Sequence, residues 1–255
     1  MPKLTLLQIT QDILNDLDSD EVNSIDDTIE SQQIAQIVKT VYYQLIDGKD
    51  WPHLHQLVQL DPPSTTAYPT RMKIPEDVVK IQWVKYNKRK DTDTKDKYLD
   101  ITYLDTKDFL DYCNNRDSSA SNVDTVVDVN SGISILIKND AAPLYYTSFD
   151  DEYIYFDSYD SNVDTTLQNS KTQCFGMIHP TFTLDDSFVP DLPIQAFSYL
   201  VAEAKATAFV MLKQTSNTKA EQHSLTQKRR ISMEKWKLGG GITVPDYGRK
   251  RTKNG

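Results

Sequence analysis

Long apolar runs are missing from this 255-residue chain: no window approaches the roughly 18 consecutive apolar residues that a transmembrane helix needs. Cysteine is nearly missing too. Cys113 and Cys174 stand far apart with no second cysteine beside either, so there is no zinc or dithiol spacing. Met1-Pro2-Lys3 runs directly into an amphipathic pattern, with no cleavage pattern of a secretory signal. Together these absences predict folding in a reducing, intracellular setting. Glycine is badly placed for nucleotide chemistry. Gly239-Gly240-Gly241 follows a helical stretch instead of preceding one, so it fits neither a Walker-type nor a dinucleotide-binding loop. A Gly-x-Ser-x-Gly nucleophile elbow does not occur.

What is present is the balance of a globular protein, 38% hydrophobic and 25% charged, at a length that suits one large domain or two small ones. The net charge of −9 is unevenly spread. Residues 228–255 carry nine lysines and arginines against Glu234 and Asp246, a net of +7, which leaves −16 on the remainder. An acidic body disfavours tight general binding to nucleic acid, whose affinity comes mostly from phosphate neutralisation. A basic tail on such a body suits a protein partner, or neighbouring copies of the same body.

Thr5 and Gln8 form a capping-box pair, and Leu6, Ile9, Ile13 and Leu17 follow on one helical face. The helix should stop within Asp16–Ser24. A second helix is expected from Asp27, with Glu30 at capping-box spacing and a stripe of Ile34, Ile37, Val38, Val41, Leu45 and Ile46. From Leu54 the period changes to two. Val79, Ile81 and Trp83 alternate with Lys80, Gln82 and Val84; beyond the charged turn Lys88–Lys97, Leu99, Ile101 and Tyr103 alternate again. A short helix is predicted over Thr106–Cys113 and a polar loop over Asn114–Asp124. Strands are predicted at Gly132–Lys138, Leu144–Phe149, Tyr153–Asp157 and Gln173–Ile178. The pentapeptide Ser-Asn-Val-Asp-Thr occurs at 121–125 and 161–165 and reads as shared turn chemistry.

After Pro193 the helical period resumes with Phe197, Leu200, Val201, Ala204, Ala208 and Met211 or Leu212. Thr215–Thr218 marks a bend or break, and Lys219–Leu238 reads as a polar, increasingly basic helix suited to an interface. The expected class is therefore α+β: an antiparallel bundle of N- and C-terminal helices with an inserted antiparallel β-sandwich or barrel. The expected divisions are residues 1–52, 53–186, 187–238 and 239–255, the last an extended basic arm. Gly239, Gly240 and Gly241 would be its hinge, followed by Ile242, Val244, Pro245, Asp246, Tyr247, Arg249, Lys250 and Arg251.

Specific chemistry is thin. His53 and His55 would project from one side of a strand, but no Cys or Glu lies near them to complete a metal site, so a surface or packing pair is expected. Asp150, Asp151, Glu152, Asp157, Asp160 and Asp164 lack the regular spacing and central glycine of a calcium loop and read as solvated turns around a Tyr-rich strand. No catalytic, cofactor-binding or metal-ligating set is expected. The basic end could touch nucleic acid, line a solvated helix face or dock on an acidic partner. Trp236 and Tyr247 are too few for a stacking platform.

Several runs stand out as specific: Asp12 to Ile25, Asp50-Trp51-Pro52-His53-Leu54 and Lys138-Asn139-Asp140 with Ala142-Pro143. Tyr145 to Asp151, Phe156 to Ser161, Thr166-Leu167-Gln168 with Ser170 to Gln173, and Phe188 to Pro193 continue the set, and Gly240-Gly241-Ile242 and Pro245 to Arg249 complete it. Taken together these runs resemble, nearly end to end, the head-to-tail adaptors of short-tailed bacteriophages, the tail tubular A-type connectors. The resemblance implies a non-enzymatic virion protein, assembled in the host cytoplasm, that forms a ring, typically of twelve subunits. The ring would sit in the neck between portal protein and tail nozzle, without membrane contact or cofactor, and pass double-stranded DNA without binding it specifically. The arm would dock on the portal. Two other classes stay open: a virion hydrolase acting on bacterial cell wall, and a DNA-binding module using the basic end.

Overall fold

The computed structural model describes residues 3–90, 92–128 and 131–233. Trp236, the hinge Gly239–Gly241 and the arm residues Ile242, Val244, Pro245, Asp246, Tyr247, Arg249, Lys250 and Arg251 lie outside the described residues. Among the described residues the chain is α+β. Its helices are α1 (Leu6–Asp16), α2 (Ile29–Asp47), α3 (Thr106–Asn114), α4 (Ile194–Lys213) and α5 (Thr218–Met233). Its strands are β1 (His55–Val58), β2 (Arg71–Lys73), β3 (Val78–Asn87), β4 (Tyr98–Tyr103), β5 (Val123–Val127), β6 (Ser134–Lys138), β7 (Tyr145–Thr147), β8 (Tyr153–Phe156) and β9 (Thr172–Ile178). Two compact units result. One combines the segment up to Pro52 with the segment from Thr181 onward; the other is His53–Pro180.

In the helical unit, α1 begins with the expected capping box. Gln8 N donates to Thr5 Oγ1 at 3.3 Å and Thr5 N donates to Gln8 Oε1 at 3.0 Å, satisfying two of the donors that a helix start leaves open. α2 starts one residue later than its sequence suggested. Asp27 closes the preceding turn by accepting from Asn23 N and Ser24 N at 2.7 and 2.9 Å, so Thr28 becomes the cap, and Ser31, in place of Glu30, completes the box. The expected stripes of α1 and α2 are buried, as are Phe197, Leu200, Val201, Ala204 and Ala208 of α4. α4 packs on both, with alanines where the backbones approach. Gln214 takes a left-handed conformation (φ 53°) and ends α4. α5 restarts with Asn217 Oδ1 accepting from Ala220 N at 3.1 Å.

Residues 181–186, expected with the β domain, pack here instead. The Phe182 ring lies 5.2 Å from Tyr42 and 4.5 Å from Phe188, and its N–H donates to the Tyr43 hydroxyl at 3.1 Å.

In the β unit seven strands pair in the order β1-β9-β3-β4-β7-β8-β2 and curl into a half-barrel, while β5 and β6 form a separate hairpin. One pairing departs from an all-antiparallel sheet: β4 and β7 run parallel, Thr102 opposite Tyr145 and Tyr103 opposite Tyr146. Phe109 and Cys113 of α3 fill the core with Val84, Ile101, Ile137, Ile154, Phe156 and Cys174.

The buried face of β3 is not the expected one. Val79 and Trp83 are exposed, while Val84 and Tyr86 are buried. Register shifts between Val78 and Lys80 and between Ile81 and Trp83 each place an extra β3 residue against β9, so the inward phase switches twice: Ile81, between the two bulges, packs against the core, and Val84 and Tyr86 face inward beyond the second. β5 was not expected: it begins in the last two residues of the predicted polar loop Asn114–Asp124 and runs on to Val127. Its edge is satisfied by β6, from Val123 opposite Lys138 to Val127 opposite Ser134.

Candidate functional site

The helical unit carries a groove of about 860 Å³ along the side of α2 that α4 leaves uncovered. Ile29, Gln33, Gln36 and Thr40 form one wall; Leu184 and the last turns of α4, with Thr207, Met211 and Leu212, form the other. Ile29 is 77% exposed and Met211 65%, although both are apolar. The lining holds no lysine, arginine or histidine, and Asp26 marks one end. Met211 thus sits at the groove rim, and only Leu212 of the two residues expected to end the α4 stripe is partly covered.

Asp26 belongs to a wider acidic segment. Asp16, Asp18, Asp20, Glu21, Asp26, Asp27 and Glu30 fall within fifteen residues that contain no base. Two of these carboxylates are turn elements: Asp27 as above, and Glu30, which accepts from Ser19 Oγ at 3.0 Å. Asp16 joins Asp12 in holding Lys205, whose Nζ lies 2.7 and 2.9 Å from them. Burial opposes the charge on Lys205, but the two carboxylates outweigh it and hold its pKa above the ordinary lysine value. Asp18, Asp20, Glu21 and Asp26 are exposed.

α5 is the basic counterpart. Lys219, Lys228, Arg229 and Arg230 stand against Glu221 alone. Its sequence suggested a helix polar all round, yet Ser224 and Ile231 are buried against α4. Ser224 Oγ donates to the Glu203 carboxylate, and Lys49 Nζ donates to the Ile231 carbonyl at 2.6 Å. The narrow face made by Ala220, Ser224, Gln227 and Ile231, at spacings of three and four, is the signal in the sequence. The opposite face carries Leu225, 57% exposed, with Lys228 and Arg229 one turn on.

The β unit uses most of its polar side chains for its own construction. Asp157, expected in a solvated turn, is buried. Arg116 reaches its carboxylate at 3.0 Å and its backbone carbonyl at 2.6 Å, and the other carboxylate oxygen accepts from Leu144 N and Tyr145 N, both at 2.9 Å. Asp150 caps a turn by accepting from Glu152 N and Tyr153 N, and Asp164 pairs with Lys171. His53 and His55 do not share a strand: His53 lies in a 3-10 turn and His55 begins β1, stacked 5.8 Å from Phe175, which stacks in turn on Trp83. Burial pushes the Cys113 and Cys174 thiols up to about 12, so neither supplies a thiolate near neutral pH. Among the described residues no group of three or more His, Cys, Asp or Glu is placed to hold a metal ion.

The helical unit thus carries three surface features: a groove of mixed apolar and uncharged polar lining, an acidic segment that reaches it at Asp26, and a basic helix with one exposed leucine. No family model matches the chain, and no curated protein matches it.

Proposed function

We propose that the chain is a ring-forming structural protein of a short-tailed phage virion, an adaptor in the neck between portal and tail nozzle. One observation carries this most directly. The helical unit is assembled from both ends of the chain, with the β unit inserted between them in sequence, the order that the resemblance to head-to-tail adaptors implies. In this reading α1, α2 and α4 make an antiparallel bundle, the β unit is the adaptor's sandwich or barrel, and residues 239–255 form an arm that docks on the portal.

The charge distribution supports the same role. A conduit for double-stranded DNA must let the polymer slide, and a body with a net charge of −16 outside its basic end repels phosphate instead of gripping it. Ile242, Val244, Pro245 and Tyr247 supply apolar anchors for the arm, Arg249, Lys250 and Arg251 its charge, and Gly239–Gly241 its hinge. Repetition around a ring multiplies a weak contact through effective concentration.

The test is capture on a purified portal ring. Full-length protein should be retained, and protein truncated after Leu238 should be lost to background. Equal retention of the two would remove the arm from the docking role. Clearing of bacterial wall material in a zymogram, abolished by one Asp or Glu substitution, would replace the structural role with a hydrolytic one.

A further inference from the structure

The groove beside α2 and the outer face of α5 are opposite in charge, and each exposes an apolar side chain. The groove is lined by apolar residues such as Ile29, Leu184 and Met211 together with glutamines and threonines, holds no positive charge in its lining, and includes Asp26 of the acidic segment. The α5 face is a single exposed leucine, Leu225, with Lys228 and Arg229 three and four residues on, the spacings that share one helical face. Ile29 on one surface and Leu225 on the other are each 57% or more exposed, so each surface offers an apolar contact beside its charge. The two surfaces are different parts of the same unit, so each copy offers one of each.

We propose that α5 of one copy lies in the α2 groove of the next, Leu225 against Ile29 and Met211, with Lys228 and Arg229 towards Asp26 and the acidic segment. The occupant is a second copy of this chain, chosen by charge: the described portion of α5 carries a net charge of +3, opposite in sign to the segment that ends the groove. The contact is heterologous, head to tail, and such contacts close into rings when the rotation between copies permits. It also gives a partner to Leu225 and Lys228, which are exposed while Ser224 and Ile231 face α4. The inference rests on the ring-forming adaptor reading and names the surfaces that would make the ring.

Disulfide trapping tests it in full-length protein. Ile29→Cys and Leu225→Cys are made as separate variants at exposed positions; the native cysteines are buried and do not compete. Under mild oxidation an equimolar mixture should give a covalent dimer that neither variant gives alone, and the double variant should give a ladder of higher species. Adding Asp26→Lys and Gln33→Lys to the groove partner should lower dimer yield by about tenfold through like-charge opposition, and Lys228→Glu with Arg229→Glu on the other partner should restore it.

A link closed within one chain of the double variant would mean that the groove is filled from its own copy, and would overturn the proposal. So would homodimers of Leu225→Cys alone, or the absence of any mixed dimer up to concentrations near 1 mM, where even weak contacts populate. Portal capture by the full-length chain is read separately. Capture without mixed dimers removes this interface and leaves the adaptor role standing; mixed dimers without capture do the reverse.

Discussion

Lys205 in the helical unit and Arg116 in the β unit both pair with aspartate, yet they stand in unlike surroundings. Lys205 bridges two half-exposed carboxylates on a surface whose stability comes from stripes repeating every three or four residues. Arg116 is enclosed, its side chain 8% exposed, and ties together strand ends that are distant in sequence through the Asp157 carboxylate and two carbonyls. The helical unit is stabilised by many similar contacts, each replaceable at modest cost. The β unit depends on a few dissimilar ones. That difference decides where the molecule should break first.

Alkali should produce the largest contrast. Burial raises the pKa of Tyr86, Tyr146 and Tyr159 to about 12, raises that of Tyr155 further, and lifts both thiols to about 12, all in the β unit. The helical unit has Tyr42 and Tyr199. Each group is protonated in the fold but loses its proton at the ordinary value once unfolded. The stabilisation is therefore complete below about pH 9 and falls as pH rises towards 12. Hydrogen exchange followed by mass spectrometry should show β-unit peptides losing protection first; simultaneous loss would erase the contrast.

Asp157→Ala comes next. It leaves a buried guanidinium unpaired and two amides unsatisfied, and should cost about 3–5 kcal/mol in urea unfolding of the β unit. Asp16→Ala at Lys205, where Asp12 remains, should cost about 0.5–1 kcal/mol. Gly176→Ala tests the bulged β3–β9 pairing, because an added Cβ would lie 2.4 Å from the Lys80 carbonyl oxygen. A cost of about 1–3 kcal/mol is expected as the strands move apart. Thr28→Ala should remove about 1 kcal/mol from α2, whereas Asp27→Ala should weaken only the turn before it; thermal melts of the two distinguish the caps.

The same division governs what the sequence reveals. Every stripe residue of α1 and α2 could be placed because a helix carries its period within itself. Even there the cap is Thr28 and not Asp27, because the Asp27 carboxylate turns back to accept from Asn23 N and Ser24 N, a local choice between two adjacent capping residues that the spacing alone does not decide. β3 could be recognised as a strand but its buried face could not be chosen, because its phase is set by β9 through two bulges. The repeated Ser-Asn-Val-Asp-Thr sharpens the point. At 161–165 it forms a turn in which Asp164 pairs with Lys171; at 121–125 it runs into β5, where Asp124 accepts from Tyr159 Oη at 2.6 Å and Asn139 Nδ2 at 2.9 Å. Identical residues follow their partners. The groove beside α2 was illegible for a related reason: Leu184 and Met211 reach it from segments on the far side of the β unit in sequence.

The proposed ring is the direct object of test. Electron microscopy of the full-length chain incubated with purified portal rings of a short-tailed phage would show whether copies assemble below the portal around an open channel, as the proposed adaptor role requires. A closed ring of uniform copy number, with neighbouring helical units in contact through α5, is the expected image. Isolated copies scattered on the portal, or portal rings left bare at saturating protein, would contradict it.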